Sequence, residues 1–222
     1  LLALRFALSA YAAPVPIFDG KSLAGWEGDA AWWRVEDGEI RGGSSTVKVP
    51  KNFFLATEKS YQNFDLRVKL RLTGTGFINS GVQIRSIRVP KSTEMSGYQV
   101  DYGKGWYGKI YDESRRNKVI AESKEAAAVL AAVKEGEWNE YRILAEGNRI
   151  RSWVNGVPAL DYVETEPNIA ADGKIGLQIH SGGRAVIQAK DITIEELPAT
   201  PGALTWDKVK PAAKKAEPAK AA

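Results

Sequence analysis

Apolar and polar residues alternate along several stretches of this chain, and a period of two is typical of β-strands with one buried face. The clearest stretch is 64–72, where every second residue from Phe64 to Leu72 is apolar. The segments 81–85 and 98–102 repeat this pattern over shorter lengths. Further strands are predicted at 138–145, 150–155, 157–163, 174–180 and 185–195.

Short segments rich in glycine and asparagine predict the turns between these strands. Asn155-Gly156 is the strongest hairpin signal, and 146–148 predicts a second hairpin. We expect 181–183 to join the last two strands as a final hairpin. The alanine-rich segment 122–134 predicts one short helix between strands. Many antiparallel strands with one helical excursion predict an all-β fold of two packed sheets.

Composition divides the chain into three parts. Residues 1–13 are apolar and end in small residues, which indicates the remnant of a secretory signal peptide and a secreted or periplasmic location. We expect 14–197 to form one folded domain, and 198–222, rich in alanine, proline and lysine, to form a tail. No other segment reaches the length of a membrane span, so none is predicted.

The formal net charge of +4 lies outside the predicted domain. The tail carries five lysines against two acidic residues, and Arg5 supplies a further positive charge near the start. The segment 17–200 is therefore neutral overall, and the charge pattern gives no reason to expect a nucleic acid partner. The sequence does not indicate an oligomeric state.

The absence of cysteine and the single histidine limit the chemistry of this chain. No disulfide, thiol nucleophile or thiolate metal site can form. A zinc site would need at least two carboxylate ligands beside the one histidine. We therefore expect no metal site and no cofactor, although a calcium or magnesium site built from oxygen ligands stays compatible with the composition.

The single histidine, His180, ends a predicted strand and shares its polar face with Gln178. Histidine titrates near neutral pH, so His180 is a candidate acid or base, while a surface or hydrogen-bonded histidine is the plainer interpretation. The same alternation places other polar side chains opposite the apolar faces of their strands. They are Gln83, Arg85, Gln99, Asp101, Arg151, Trp153 and Asn155.

A face that combines amide, charged and aromatic groups suits a sugar, if these strands share one sheet. An ordinary solvated sheet face is the alternative. Aromatic residues between or near glycines add further candidates. Trp106 lies in the glycine-rich segment 103–108, and Tyr111 follows it. Such loop aromatics can clamp a ligand or plug a hairpin.

Several segments, taken together and in order, resemble the 3-keto-disaccharide hydrolase family over roughly 15–197. They are Ile17-Phe-Asp-Gly-Lys-Ser-Leu-x-Gly-Trp26, Trp33-Arg-Val-Glu-Asp-Gly-Glu-Ile40, Phe64-Asp-Leu-Arg-Val68, Asn79-Ser-Gly-Val-Gln-Ile-Arg85, Gly97-Tyr-Gln99, Lys109-Ile-Tyr-Asp112, Glu137-Trp-Asn-Glu-Tyr141, Trp153-Val-Asn-Gly156 and Gly173-Lys-Ile-Gly-Leu-Gln-Ile-His180. The resemblance implies a concanavalin A-like jelly-roll fold and an enzyme that acts on glycosides oxidised to a ketone at C3.

The implied reaction needs a base and a group that stabilises an enolate oxygen. A C3 ketone acidifies the C2 proton, and the enolate expels the C1 substituent by β-elimination, after which water can add to the enone. His180 is then the candidate acid or base, with Asp101 as its alternative or partner, and Arg85 as the candidate that steadies the enolate. The candidate sugar-binding residues are Gln178, Gln99, Trp153, Gln83, Tyr111 and Trp106.

Two other functions remain open at this point. Many relatives carry glutamate at the position of Gln99, so Asp101 either preserves a carboxylate on the same face or marks a carbohydrate-binding domain without activity. A retaining glucanase would need two carboxylates about 5 Å apart. The Glu-x-Asp-x-x-Glu-like run typical of glucanases is absent, and the adjacent Asp112 and Glu113 would point to opposite faces of a strand.

Overall fold

A computed structural model describes residues 13–209, so the predicted signal-peptide remnant lies almost wholly outside the described residues. The strands follow one another along the chain, with one helix, α1 (Ala126–Ala132), between the tenth and the eleventh. The strands are β1 (Val15–Pro16), β2 (Trp26–Glu27), β3 (Trp33–Glu36), β4 (Glu39–Gly43), β5 (Phe53–Tyr61), β6 (Phe64–Thr75), β7 (Ser80–Arg88), β8 (Met95–Tyr102), β9 (Lys109–Glu113), β10 (Val119–Glu122), β11 (Asn139–Glu146), β12 (Arg149–Val154), β13 (Val157–Val163), β14 (Gly173–Ile179) and β15 (Arg184–Glu196).

The strands form two antiparallel sheets that pack face to face, as the sequence predicts. Sheet A has the order β13-β12-β11-β6-β15-β4-β3, with β1 paired to β15. Sheet B has the order β10-β9-β8-β7-β14-β5-β2. Phe64, Leu66, Val68 and Leu70 of β6 are buried in the core while their neighbours face outward, so the alternation of 64–72 is confirmed.

The predicted hairpins β11–β12 and β12–β13 are confirmed by their antiparallel registers. The predicted helix is shorter than expected. The first residue of the segment 122–134, Glu122, completes β10, and α1 begins only at Ala126. The helix buries a single side chain, Val129, so it is a surface excursion rather than part of the core.

The predicted final hairpin is wrong, because β14 and β15 belong to different sheets. β14 pairs with β5 and β7, whereas β15 pairs with β4 and β6. The segment between them bonds to Val49 instead of closing a tight turn: Gly182 donates to the Val49 carbonyl, and Val49 donates to the Gly183 carbonyl. The chain therefore crosses from one sheet to the other immediately after His180.

A β-bulge interrupts β7 at Arg85 and Ser86. Ile84 pairs with Tyr98 and Ile87 pairs with Ser96, so two residues of β7 oppose one residue of β8. Arg85 adopts a φ of 48°, in the left-handed region. A Cβ on Gly173 of β14 would lie 2.5 Å from the Arg85 carbonyl carbon, so only glycine fits beside the bulge. The bulge shifts the alternation of β7 at this point.

The domain continues past 197, where the sequence analysis ended it. The Asn63 side-chain amide donates to the Pro198 carbonyl at 2.7 Å. Trp206 donates its indole N–H to the Arg85 carbonyl at 3.0 Å and lies over the Arg115 guanidinium. Residues 198–209 therefore pack against the sandwich as an ordered strap, and the remainder of the predicted tail lies outside the described residues.

Candidate functional site

A cavity of about 270 Å³ opens on the outer face of sheet B, the face turned away from the core. Strands β8, β9 and the end of β14 form its floor, and the loops 76–79 and 103–108 form its walls. Its lining residues are Asn52, Phe77, Asn79, Gln99, Asp101, Trp106, Tyr111, Glu113 and His180. Five of these nine were predicted from the sequence as site residues.

Three glutamines form a hydrogen-bonded layer beneath the cavity. Gln83 donates to Gln99 at 3.2 Å, and Gln99 donates to Gln178 at 3.3 Å. All three are at most 2% exposed, so this is not the solvated sheet face that the sequence left as an alternative. A Cβ on Gly81 would lie 2.5 Å from Gln99 Cγ, and glycine therefore lets the Gln99 side chain lie against the strand.

Asp101 is a buried carboxyl that forms no salt bridge with any residue of 13–209. Gln99 donates to its Oδ1 at 2.8 Å, while its buried Oδ2 has no hydrogen-bond partner among the described residues. Burial raises the pKa of Asp101 to about 8, and the nearby charge of Glu113 contributes in the same direction. The carboxyl is therefore mostly protonated at neutral pH.

Glu113 is a second carboxyl in the same cavity, and the sequence analysis did not select it. Gln178 donates to its Oε2 at 3.4 Å, so an amide relay of Gln99 and Gln178 connects the two carboxyls. Burial raises the pKa of Glu113 to about 7, and the charge of Glu94 adds to the effect. The alternation of side chains along β9 could have indicated Glu113, because neighbouring residues of a strand point to opposite faces. Asp112 faces the core, and Glu113 faces the cavity.

His180 lies at the cavity wall, directly after β14, and is partly exposed. Its Nδ1 is 2.7 Å from the Ser181 carbonyl oxygen, which can only accept a hydrogen bond. This contact assigns the proton of the neutral ring to Nδ1 and leaves the lone pair on Nε2. The Phe77 ring packs edge-on against the imidazole, with 4.9 Å between the ring centroids.

Aromatic and amide side chains complete the walls. Trp106 and Tyr111 both line the cavity, and their rings pack edge to face with 6.3 Å between the centroids. Asn52 accepts a hydrogen bond from the Ser181 N–H at 3.0 Å. Asn79 is 3% exposed, and its side-chain nitrogen has no partner among the described residues. The sequence pattern gives no signal for either asparagine, because both lie just before a strand and outside its alternating part.

Arg85 does not lie in the cavity, so its predicted place beside His180 is wrong. The bulge turns its guanidinium toward other acceptors: the Gln62 carbonyl at 2.8 Å, the Gly147 carbonyl at 2.7 Å and Asn63 Oδ1 at 3.0 Å. Burial lowers its pKa to about 10. Arg85 thus ties the turns 62–63 and 146–148 to sheet B and is not free to meet a substrate.

Trp153 is also outside the cavity, because β12 belongs to sheet A. Its ring lies 4.6 Å from the Arg142 guanidinium carbon on the outer face of that sheet. The condition for Trp153 to join the other candidates, that 150–155 and 81–85 share one sheet, is therefore not met, and its predicted place in the site is wrong. The alternation of side chains correctly assigned Trp153 to an outward face, but alternation does not say which of the two sheets a strand joins.

No three histidine, aspartate or glutamate side chains within residues 13–209 are grouped so that they could hold one metal ion. No helix in this range is both long enough and apolar enough to cross a membrane.

Solved structures with similar folds were found at low sequence identity. A "putative glycosyl hydrolase" from Parabacteroides distasonis ATCC 8503 has a TM-score of 0.60 and 20% identity, covering 83% of this chain and 94% of its own. The carbohydrate-binding module CBM66 from Bacillus subtilis has a TM-score of 0.56 and 17% identity, covering 78% and 96%. A Bacillus subtilis protein with a galectin-like fold has a TM-score of 0.60 and 10% identity, covering 80% and 92%.

These similarities confirm the predicted jelly-roll sandwich, and at such identities they establish the fold alone. None of the curated proteins compared with the chain matches its sequence. The family itself is established by the sequence model of the 3-keto-alpha-glucoside-1,2-lyase-like domain, which matches residues 13–195 and so covers most of the chain. The chain belongs to the family of 3-keto-alpha-glucoside-1,2-lyase-like domains.

Proposed function

We propose that this protein cleaves glycosides whose sugar has been oxidised to a ketone at C3, by elimination across C1 and C2 followed by addition of water. The observation that carries the proposal is the pair of carboxyls, Asp101 and Glu113, which lie in one cavity, have raised pKa values and form no salt bridge with the part of the chain that the structure describes. Two buried ionisable carboxyls lower the free energy of unfolding, and such groups with shifted pKa values are characteristic of catalytic sites. The family and the fold support a protein that acts on or binds carbohydrate.

His180 is proposed as the base that removes the C2 proton. Its Nδ1 is occupied by the Ser181 carbonyl, so Nε2 carries the lone pair. A hydrogen bond of this kind also orients the ring. The electrons of the C2–H bond then form the enolate of the C3 ketone, which is the step that needs an oxygen-stabilising donor.

Asp101 takes the role for which the sequence analysis selected Arg85. A carboxyl with a pKa of about 8 is largely protonated at pH 7, so its O–H can donate to the enolate oxygen. Glu113, with a pKa of about 7, is proposed to protonate the departing oxygen at C1. Expulsion of the aglycone leaves a C1=C2 bond conjugated to the ketone, and water adds at C1.

The remaining polar groups of the cavity are proposed to bind the hydroxyls of the sugar. The unpartnered Asn79 amide nitrogen can donate to a sugar oxygen. Gln99 Oε1, which accepts from Gln83, can accept a second hydrogen bond from a sugar hydroxyl. Trp106 and Tyr111 offer ring faces and edges to the C–H groups of a pyranose.

The test compares a 3-keto-α-glucoside with the unoxidised glucoside, following enone absorbance and the released aglycone. In D2O, elimination and water addition place deuterium at C2 of the product, whereas direct hydrolysis does not. We expect turnover of the oxidised substrate only, with deuterium at C2. Absence of any turnover of the 3-keto substrate refutes the proposal.

Three variants assign the roles. His180→Gln and Asp101→Asn are expected to reduce kcat/KM by about 10²-fold or more, the contribution typical of an acid, base or oxyanion donor. Asp161→Asn, a carboxyl on β13 of sheet A, is the matched control and should retain full activity. If His180→Gln retains activity, Asp101 or Glu113 must be the base instead.

A carbohydrate-binding domain without activity is the second candidate function. The observation that favours it is the floor of buried amides, which needs no catalysis to recognise hydroxyl groups. Binding of unoxidised glycans with no turnover of 3-keto-glucosides would decide for this function.

A further inference from the structure

A second cavity, of about 340 Å³, lies beside the proposed active site. Phe77 contributes to the lining of both cavities and forms the ridge between them. Its ring packs edge-on against His180 on one side. The full lining of the second cavity is Leu72, Gly76, Phe77, Ile78, Lys104, Tyr107, Glu135 and Gly136.

The size of the first cavity makes the second one relevant to the reaction. A volume of about 270 Å³ is below the roughly 300–1,000 Å³ of pockets that enclose a drug-sized ligand, so it accommodates about one sugar ring. The proposed elimination releases the group attached to C1. That group must therefore extend out of the first cavity, and the second cavity shares the Phe77 side chain with it.

The chemistry of the second cavity favours an apolar group. Leu72, Phe77, Ile78 and the Tyr107 ring supply most of its wall. The two charged residues, Lys104 and Glu135, lie at its exposed rim and are 3.8 Å apart, so they pair with each other. The buried amides that characterise the first cavity have no equivalent among the residues that line the second.

We propose that the second cavity binds the aglycone, and that this aglycone is an apolar or aromatic group rather than a second sugar. The inference rests on the proposed function, because the oxidised sugar is taken to occupy the cavity that contains Asp101 and His180. Binding the apolar group across Phe77 would hold the C1 bond at the boundary between the two cavities.

The test compares benzyl and methyl 3-keto-α-glucosides, whose leaving groups have similar basicity. The ratio of their kcat/KM values therefore reports binding of the phenyl ring. We expect a preference for the benzyl substrate of about tenfold or more, since a phenyl ring buries enough apolar surface to supply about 1.4 kcal/mol. A 3-keto-disaccharide, tested in parallel, should not exceed the benzyl substrate.

Two variants and one control locate the effect. Ile78→Ala shortens a side chain that lines the second cavity but not the first, and should reduce the benzyl-to-methyl ratio of kcat/KM at least threefold. Phe77→Ala should reduce the same ratio. Val163→Ala removes an exposed apolar side chain on sheet A and should leave the ratio unchanged.

The outcomes separate this inference from the proposed function. Turnover of both substrates with a ratio near one, or with a ratio unaffected by Ile78→Ala, overturns the aglycone site. A clear preference for the disaccharide overturns its apolar character. If no 3-keto substrate is turned over, the proposed function fails, and binding of unoxidised benzyl and methyl glucosides to the same variants then decides whether the second cavity holds an apolar group.

Discussion

Substitution of Asp101 by asparagine should stabilise the protein by an amount that grows with pH. Asp101 is 1% exposed, and burial raises its pKa to about 8, against about 3.9 for an aspartate in an unfolded chain. A raised carboxyl pKa means that stability is fully present below about pH 4 and is lost as the pH rises toward 8. Asparagine has the shape of the protonated carboxyl and does not ionise, so Asp101→Asn escapes this loss.

The magnitude follows from the width of the titration window. Each pH unit between the two pKa values costs the wild type about 1.4 kcal/mol relative to the variant. The difference in free energy of unfolding should therefore increase by about 4 kcal/mol between pH 5 and pH 8. Glu113 titrates in the same range but is present in both proteins, so its contribution largely cancels.

Urea unfolding followed by tryptophan fluorescence at pH 5, 6, 7 and 8 measures this difference. Asp161→Asn is the control, because Asp161 is exposed and its pKa is lowered by Arg149, so its difference from wild type should not increase with pH. A difference between Asp101→Asn and wild type that is constant or narrows with pH would show that Asp101 ionises normally. The same variant should lose activity, so one substitution at Asp101 is expected to raise the free energy of unfolding and to lower kcat/KM.

Three further substitutions test other parts of the structure. Gly81→Ala places a Cβ against Gln99 and should cost about 1–3 kcal/mol in urea unfolding and lower kcat/KM about tenfold. Arg85→Met removes three hydrogen bonds, although Asn63 Oδ1 still accepts from the Gly147 N–H, and should lower the free energy of unfolding by about 2–4 kcal/mol with KM unchanged; a raised KM at normal stability would show that Arg85 acts in the site. Trp206→Ala removes a hydrogen bond and the packing on Arg115, and should cost about 2 kcal/mol in thermal unfolding; an unchanged Tm would show that the strap adds no stability.

Local alternation predicted the strands and the faces of most polar residues correctly. Gln83, Gln99, Asp101 and Gln178 share one outer face because their strands are adjacent in sheet B and the irregularities of β7 and β14 lie away from these positions. Alternation predicts the face on which a side chain lies, but it does not predict whether that face is buried. Burial depends on the tertiary structure: the glutamines bond to one another, and the same face carries the small apolar cluster of Phe54, Ala56 and Met95.

The errors have two physical causes. Arg85 was misplaced because a bulge adds a residue to β7, and a shift of one residue reverses the face of a side chain. Trp153 and the final hairpin were misplaced because alternation carries no information on which sheet a strand joins. Glu113 was within reach of the sequence, since the opposite faces of Asp112 and Glu113 were predicted, but only the fold shows that its face is the floor of the cavity.

His180 is the single histidine of all 222 residues, and it stands in the wall of the proposed active site. Its imidazole C–H protons are thus a built-in NMR reporter that needs no residue assignment. The Phe77 ring, 4.9 Å away, will displace those resonances by its ring current, and any ligand that enters either cavity should move them again. One pH titration of one resonance therefore gives the ionisation of the proposed base directly, in the intact protein and without labelling.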